Sequence, residues 1–279
     1  MFNPFLSAFK KFWSMLTVVL LMVTVAAEYP QGTPQGAVLV ASHTYMLDQA
    51  LTRGQGITTD GQYFYFSGNL FLNKTDMQTN KTLVKNILAI PPQLLVLGDN
   101  HIGGISYYDG KIYAPIEDGS AYQHPYIAIF DANTLKFTGK YYAMPLALHD
   151  AGIPWCIVDG PRGYLYTMEW SNATVLNVFN LSDMSFVKTV PLSIPLDRIQ
   201  GGGIYDGNLY LSMDVGTKLV YKLNPVTGEA GLLFSRNVSS KIESESMTVL
   251  TTANGPLFCV MDVGPDRINM VLREYKLAD

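Results

Sequence analysis

Short apolar runs alternate with turn residues along the chain, and the most regular turn is an Asp-Gly or Asn-Gly dipeptide followed by an aromatic strand. Both central residues of a type I′ turn need positive φ, so these dipeptides between apolar runs predict β-hairpins with type I′ turns. The third copy carries an extra Pro-Arg-Gly, which predicts a wider turn there. The copies read DGQYFYFSGN from Asp60, DGKIYAPIED from Asp109, DGPRGYLYTMEW from Asp159, DGNLYLSMD from Asp206 and NGPLFCVMD from Asn254.

These copies are spaced 49, 50, 47 and 48 residues apart, which defines one repeat. A strand rich in Gly and Ile precedes each turn, and a third strand follows and ends in a second turn. An Asn or Asp at the start of that turn accepts hydrogen bonds from backbone amides two residues on. We expect the second turns to begin at Asn73, Asp131, Asn180 and Asn224. With a fourth strand in most copies, each repeat matches a four-stranded propeller blade.

The predicted fold is therefore all-β: a β-propeller of five four-stranded blades, forming a single domain over residues 28–279. The fifth copy reaches Asp279 just after its third strand, whereas residues 37–45 precede the first copy and have no place in it. We predict that this N-terminal strand completes blade five and closes the ring, which removes exposed strand edges. Six blades is the main alternative, and it requires a blade without a recognisable turn.

The repeats resemble those of the propeller superfamilies with YVTN-, NHL- or quinoprotein-like repeats, over about residues 37–279. This resemblance implies an architecture and no particular activity. Five-bladed secreted proteins of similar fold include olfactomedin domains, tachylectin-type lectins and arabinan-cleaving glycosidases. The chain carries no catalytic signature of these proteins, so no site residue is transferred from them.

The composition limits the kinds of partner and of structural support that we expect. The chain is 15% charged with a net charge of −4, which gives no electrostatic reason to expect nucleic acid, and its 12% aromatic content excludes long disorder. Two cysteines cannot form a disulfide scaffold or a thiolate zinc site. Cys156 and Cys259 fall in blades three and five, which are not neighbours, so we predict two buried free thiols.

The N-terminus has the pattern of a secretory signal over residues 1–27. Lys10 and Lys11 precede an uncharged run over residues 12–25, and the small pair Ala26-Ala27 follows. The run is shorter than the roughly 20 residues of a spanning helix, so we predict cleavage after Ala27; an uncleaved membrane anchor is the alternative. We therefore expect a eukaryotic, secreted glycoprotein. One or two of its five sequons should be asparagines that simply form turns and carry no glycan. The sequons are at Asn73, Asn80, Asn172, Asn180 and Asn237.

Polar residues recur at the hairpin ends opposite the Asp-Gly turns, where first strands begin and second strands end. First strands line the channel of a propeller, so these residues should ring its mouth. Second strands end in Asn69, Glu117, Glu169, Asp214 and Asp262. With the loop over residues 118–125, the predicted ligand-binding residues are Gln55, His101, Glu117, Tyr122, His124, His149, Glu169, Gln200, Asp214 and Glu245.

A ring of acids suits either a calcium ion or the hydroxyl groups of a sugar. The residues predicted to bind calcium, the one cofactor considered, are Glu117, Glu169, Asp214 and Glu245. The alternative is structural: an acid at a strand end accepts backbone amides of the next loop. Trp155 is expected in the core, Trp170 either stacks on a ligand or packs between blades, and residues 201–203 (Gly-Gly-Gly) allow close packing near the axis.

Two functions follow as hypotheses. The first is a secreted, monomeric binding module for a glycan, small molecule or extracellular protein, with membrane contact only if the signal is uncleaved. The second is a carboxylate- or metal-assisted hydrolase or lyase acting on a sugar or lactone at the same mouth. No Gly-x-Ser-x-Gly, His-Glu-x-x-His or phosphate-binding glycine motif is present.

Overall fold

The computed structural model describes residues 32–46, 52–265 and 267–278, and these form an all-β, five-bladed propeller. The predicted fold class is confirmed, and the six-blade alternative is wrong because five sheets complete the ring. The predicted signal over residues 1–27 and its cleavage site lie outside the described residues.

Each blade is an antiparallel sheet that runs from an inner strand at the axis to an outer strand at the rim. Blade one contains β2 (Gly56–Thr59), β3 (Tyr63–Gly68), β4 (Phe71–Asp76) and β5 (Thr82–Asn86). Blade two contains a divided inner strand, β6 (His101–Ile102) and β7 (Ser106–Tyr108), then β8 (Lys111–Glu117), β9 (Tyr126–Asp131) and β10 (Phe137–Ala143). Blade three contains β11 (Ile157–Asp159), β12 (Tyr164–Thr167), β13 (Ala173–Asn180) and β14 (Phe186–Leu196).

Blades four and five complete the ring. Blade four contains β15 (Ile199–Tyr205), β16 (Asn208–Met213), β17 (Leu219–Leu223) and β18 (Ala230–Ser235). Blade five contains β19 (Glu243–Thr252), β20 (Gly255–Val263), β21 (Asn269–Leu277) and, as its outer strand, β1 (Ala37–Met46). β1 pairs antiparallel with β21 from Ala37 opposite Leu277 to Met46 opposite Asn269, which confirms closure by the N-terminal strand.

Apolar side chains of successive blades pack together in five clusters, one for each interface around the ring. Phe64 and Phe66 of blade one meet Met261 of blade five, so the first and last blades share a core like any other pair. Trp155 is fully buried between blades three and four, as predicted. Cys156 and Cys259 are buried free thiols, also as predicted.

The hairpin turns agree with the sequence signals in part. Asp109-Gly110 and Asp206-Gly207 have positive φ at both residues, as a type I′ turn requires. At Asp60-Gly61 and Asn254-Gly255 the glycine alone has positive φ, and at the third copy neither Asp159 nor Gly160 does, so type I′ is not general. The third turn is wider, with Asp159 paired to Tyr164 across four intervening residues.

The second turn of blade one begins later than predicted. Asp76 accepts a hydrogen bond from the Thr79 amide, as Asp131 does from Thr134. Asn73 instead lies inside β4 and is fully buried, so the predicted turn start at Asn73 is wrong by three residues. An Asn followed closely by an Asp offers two candidate turn starts, and the strand pairing of β4 with β3 selects Asp76.

Glycines allow the inner strands to approach one another at the axis. A Cβ on Gly103 would lie 2.1 Å from the backbone oxygen of Pro154, and a Cβ on Gly203 would lie 2.7 Å from the amide nitrogen of Val249. Gly104 pairs directly with Trp155 across the blade boundary, its amide donating to Pro154 at 2.8 Å. The prediction that the glycine run near residue 201 serves close packing is confirmed.

The described residues include two short helical segments, α1 (Pro92–Leu95) and a 3-10 turn (Leu146–Leu148). Neither has the length and apolar character that a helix needs to cross a bilayer.

We predict that Gly103→Ala lowers the free energy of unfolding by about 1–3 kcal/mol, because its Cβ meets backbone that belongs to the next blade. The matched control is Gly231→Ala on β18, where a Cβ meets nothing within 4 Å. Urea unfolding of both variants measures the difference. Equal midpoints for the two variants would exclude close packing at the axis as a constraint on the ring.

Candidate functional site

A polar cavity of about 290 Å³ lies at the mouth of the channel, on the face opposite the Asp-Gly turns. All five blades contribute to it, because the inner strands converge there. Six of the predicted residues line the cavity: Gln55, His101, Glu117, Tyr122, Gln200 and Glu245. Residues that the prediction did not include also line it, among them Asn69, Asn100, Trp170, Glu243 and Arg267.

His101 and Glu117 form an oriented pair on one wall of the cavity. Nδ1 of His101 lies 3.1 Å from Oε1 of Glu117, and its Nε2 lies 2.6 Å from Oε1 of Gln55. The second oxygen of Glu117 accepts a hydrogen bond of 2.6 Å from the Ile153 amide. The pair is held at hydrogen-bond distance because His101 and Glu117 lie opposite each other on β6 and β8. The polar groups on this wall of the cavity therefore form hydrogen bonds with one another.

Glu245 is the carboxyl group that this network leaves free. Its side chain is 4% exposed, lines the cavity, and makes no hydrogen bond or ion pair with the described residues. Burial raises the pKa of Glu245 well above its usual value, and the nearby acids Glu243 and Asp214 raise it further. Burial therefore favours the protonated form of this carboxyl group, and a protonated carboxyl group both donates and accepts hydrogen bonds.

The amides of Asn69 and Gln200 are also unengaged. Neither side chain makes a hydrogen bond within the described part of the chain, and both face the cavity. Each amide offers a donor and an acceptor to a ligand. Two aromatic rings, Tyr122 and Trp170, lie at the edge of the same cavity, and the Arg198 guanidinium lies 5.3 Å from the centre of the Trp170 ring.

Two other predicted strand-end acids, Asp214 and Asp262, are paired with cationic side chains, most of which are buried. Asp214 binds Arg198 and Lys218 at 2.5 Å each and accepts the Ser244 amide at 2.9 Å. Asp262 is fully buried, binds Arg236 through both oxygens at 2.8 and 2.9 Å, and also binds Arg273. Neither acid lines the cavity. Asp214 accepts a backbone amide, as the structural alternative expects, whereas Asp262 is held by arginine side chains, which that alternative did not predict.

Glu169 and His149 also lie away from the cavity. Glu169 is close to Asp150, and burial together with a hydrogen bond from that neighbour raises the pKa of Glu169 to about 7. His149 is fully buried; its ring nitrogens lie 2.9 Å from the Pro145 carbonyl oxygen and 2.8 Å from the Thr167 hydroxyl, and burial lowers its pKa. His149 therefore supports the loop into blade three.

The four acids predicted to bind calcium do not form one cation site. Glu117 and Glu245 face the cavity, while Glu169 and Asp214 have other partners. No three of the four bring oxygen atoms within 4.8 Å of one another in the described part of the chain. His124 lies outside the cavity as well, beside Asp99 and Asp118.

The five sequons differ in accessibility. Asn73 is fully buried, and its side chain contacts Arg53 at 3.3 Å, so the folded protein has no room for a glycan there. Asn80, Asn180 and Asn237 are partly exposed, and each side chain makes a hydrogen bond within the protein. Asn172 is exposed, and its amide contacts the neighbouring Ser171 hydroxyl.

A larger cavity of about 510 Å³ lies between blades two and three, toward the Asp-Gly turns. Its lining includes Tyr108, Lys111, Lys140 and Tyr142, and it contains no amide side chain and no buried carboxyl group. Because two blades form it and its charged groups are exposed, it offers fewer fixed polar contacts than the channel mouth does.

We predict that Glu245→Gln becomes progressively more stable than the native protein as the pH rises from 5 to 8. The raised pKa means that the folded state holds a proton that the unfolded state releases above about pH 4.5, so this residue costs stability as the pH rises. Each unit of elevation corresponds to about 1.4 kcal/mol. Thermal melts at several pH values measure the effect, with the exposed Glu229→Gln as control. A pH-independent difference would contradict a neutral Glu245.

No family model and no curated protein matches the chain. Among solved structures, hydrazine synthase of Kuenenia stuttgartiensis is 13% identical with a TM-score of 0.43, and the match covers 78% of this chain and 59% of that one. The computationally designed protein Ika8 is 12% identical with a TM-score of 0.39, covering 77% of this chain and 57% of that one. The chain thus spans less than two thirds of either protein.

Proposed function

We propose that the channel mouth binds a small, hydroxyl-rich ligand of the saccharide class. The observation that carries this proposal is the presence of free hydrogen-bonding groups on Asn69, Gln200 and Glu245 beside Tyr122 and Trp170 in one cavity. A concave site with a few fixed polar groups and adjacent aromatic rings is the usual form of a small-molecule site.

The charge of the site favours a neutral ligand. Glu117 is engaged by His101 and by a backbone amide, Glu243 pairs with Arg267 at 2.7 Å, and burial raises the pKa of Glu245, which favours its uncharged form. The remaining amides and the carboxylic acid both donate and accept hydrogen bonds, as sugar hydroxyl groups do. A binding site with this pairing selects polar, uncharged partners over anions or cations.

The size of the cavity and its aromatic side chains also favour a saccharide ligand. At about 290 Å³ the cavity is at the lower end of the roughly 300–1,000 Å³ range of small-molecule sites, which suits one or two sugar rings. Arg198 lies over the Trp170 ring, and because Trp170 lines the cavity its indole can pack against the apolar surface of a sugar.

We predict that the protein binds members of a printed glycan array, and that Gln200→Ala and Trp170→Ala each weaken binding of the best glycan about five- to tenfold in calorimetry. A lost hydrogen bond or ring contact of about 1–1.5 kcal/mol corresponds to that factor. Tyr108→Ala, in the cavity near the Asp-Gly turns, is the matched aromatic control and should bind normally. Loss of binding in the control with retention in the other two variants would contradict the proposed site.

A hydrolase acting on the same ligand class is the second candidate. The observation in its favour is that Glu245, whose pKa is raised by burial, and the hydrogen-bonded pair of Glu117 and His101 line one cavity. A protonated carboxylic acid opposite a second carboxyl group is the pairing that glycoside hydrolysis uses. Turnover of chromogenic glycosides or lactones that disappears in Glu245→Gln favours this candidate; binding without turnover favours the binding module.

We also propose that the chain matures in the secretory pathway of a eukaryote, supported by the predicted signal over residues 1–27 and by the exposed sequon at Asn172. Expression in a eukaryotic secretory host should release a chain that begins at Glu28. Its glycopeptides should include Asn172 and lack Asn73, because that side chain is buried. Mass spectrometry of the medium checks both points; a membrane-bound chain that retains residues 1–27 favours the anchor alternative.

A further inference from the structure

Asp99, Asp118 and His124 bring three metal-ligating groups together in blade two, outside the channel mouth. One ligand atom from each residue lies within 4.8 Å of the others. Asp99 comes from the segment that follows α1, whereas Asp118 and His124 come from the loop after β8. The cluster therefore joins two separate segments of the chain, and none of its members lines the cavity described above.

Asp99 has no partner for its carboxyl group in the described structure. Its side chain is 1% exposed, and both oxygens are buried without a hydrogen bond. A buried carboxyl group without a partner is costly, because the lost hydration is not replaced. Burial, with Asp118 and Glu117 nearby, raises the pKa of Asp99 to about 6, although the His124 imidazole opposes that shift.

The other two members also direct free atoms toward Asp99. Oδ1 of Asp118 accepts the Gln123 and His124 amides at 2.7 and 3.2 Å, which leaves Oδ2 free. Nδ1 of His124 lies 3.3 Å from this Oδ2. The angle of the contact is unsuitable for a hydrogen bond, so this nitrogen is buried without one. Each residue thus places one ligand atom at the same point, and the atoms of Asp99 and His124 make no hydrogen bond there.

We propose that Asp99, Asp118 and His124 bind a first-row divalent cation, with zinc the best match. One imidazole nitrogen and two carboxylate oxygens form a mixed ligand set that zinc accepts, and water can complete its four ligands. Around a cation with bonds of about 2.1 Å, ligand atoms lie no more than about 4.2 Å apart, so the cluster closes by a small side-chain adjustment.

Calcium is a poorer match for this cluster. It takes six to eight oxygen ligands, whereas here one of three groups is an imidazole, and two carboxyl groups supply few oxygens. Calcium or magnesium would also need several waters to complete its coordination, whereas zinc would need only one.

A cation here would attach the loop over residues 118–125 to the segment before β6. That loop carries Tyr122, which lines the cavity and has a φ of 52°, in the left-handed region. Within the protein the loop is held by the Gly119 amide, which donates to the Asn100 side chain at 3.1 Å. The cation would add a second attachment and hold Tyr122 at the mouth. The cation site itself does not depend on the proposed sugar binding.

The test uses the tag-free protein, treated with chelator and titrated with zinc chloride in a calorimeter. We expect one zinc per chain and a melting temperature several degrees higher with zinc, because the cation binds the folded state. Asp99→Asn and His124→Gln should each weaken zinc binding at least about 100-fold, since they remove ligands. Asp109→Asn, an exposed acid of the same blade, is the matched control and should bind zinc normally.

Diffraction from zinc-soaked native crystals at the zinc absorption edge supplies a second measurement that needs no variant. An anomalous peak between Asp99, Asp118 and His124 supports the proposal. It is overturned by the absence of bound zinc, by a peak elsewhere in the protein, or by zinc binding of native strength in folded Asp99→Asn and His124→Gln.

Discussion

The inner strands of all five blades approach within backbone contact at the channel axis, and the rest of the molecule depends on that approach. Gly103 lies against Pro154 of the next blade, and Gly203 lies against Val249. Side chains at these positions would hold the blades apart, which would open the five apolar interfaces and the junction closed by β1. The same convergence brings strand ends from five distant parts of the sequence to one small cavity, so packing at the axis creates the site.

Burial then determines which polar groups are available to a ligand. Asp214 and Asp262 are compensated by cationic side chains, and Glu117 is compensated by His101 and a backbone amide. Glu245 has no such partner, and burial raises its pKa instead. Acids that looked equivalent in the repeat therefore have different roles: two stabilise blade ends, one orients an imidazole, and one remains as a hydrogen-bonding group in the cavity.

The fold could be predicted well because the sequence signals for turns and strands are local. An Asp-Gly turn between apolar runs sets a hairpin without reference to the rest of the chain, and five evenly spaced copies set the ring. The site was predicted in part, because many side-chain partners are not local: Arg198 lies 16 residues from Asp214 and Arg236 lies 26 residues from Asp262. His149 likewise turns inward toward Thr167. Asp99 carried no repeat signal, since it precedes the first strand of blade two by two residues.

The central claim is that the convergence of five blades makes the channel mouth the ligand-binding site. A crystal structure with the best glycan from the array tests this most directly, because it locates the ligand without a variant. The account predicts an ordered sugar ring in contact with Gln200 and Glu245 and beside Trp170. Density for the glycan in the cavity lined by Tyr108 and Tyr142, with the mouth occupied by solvent, would contradict it.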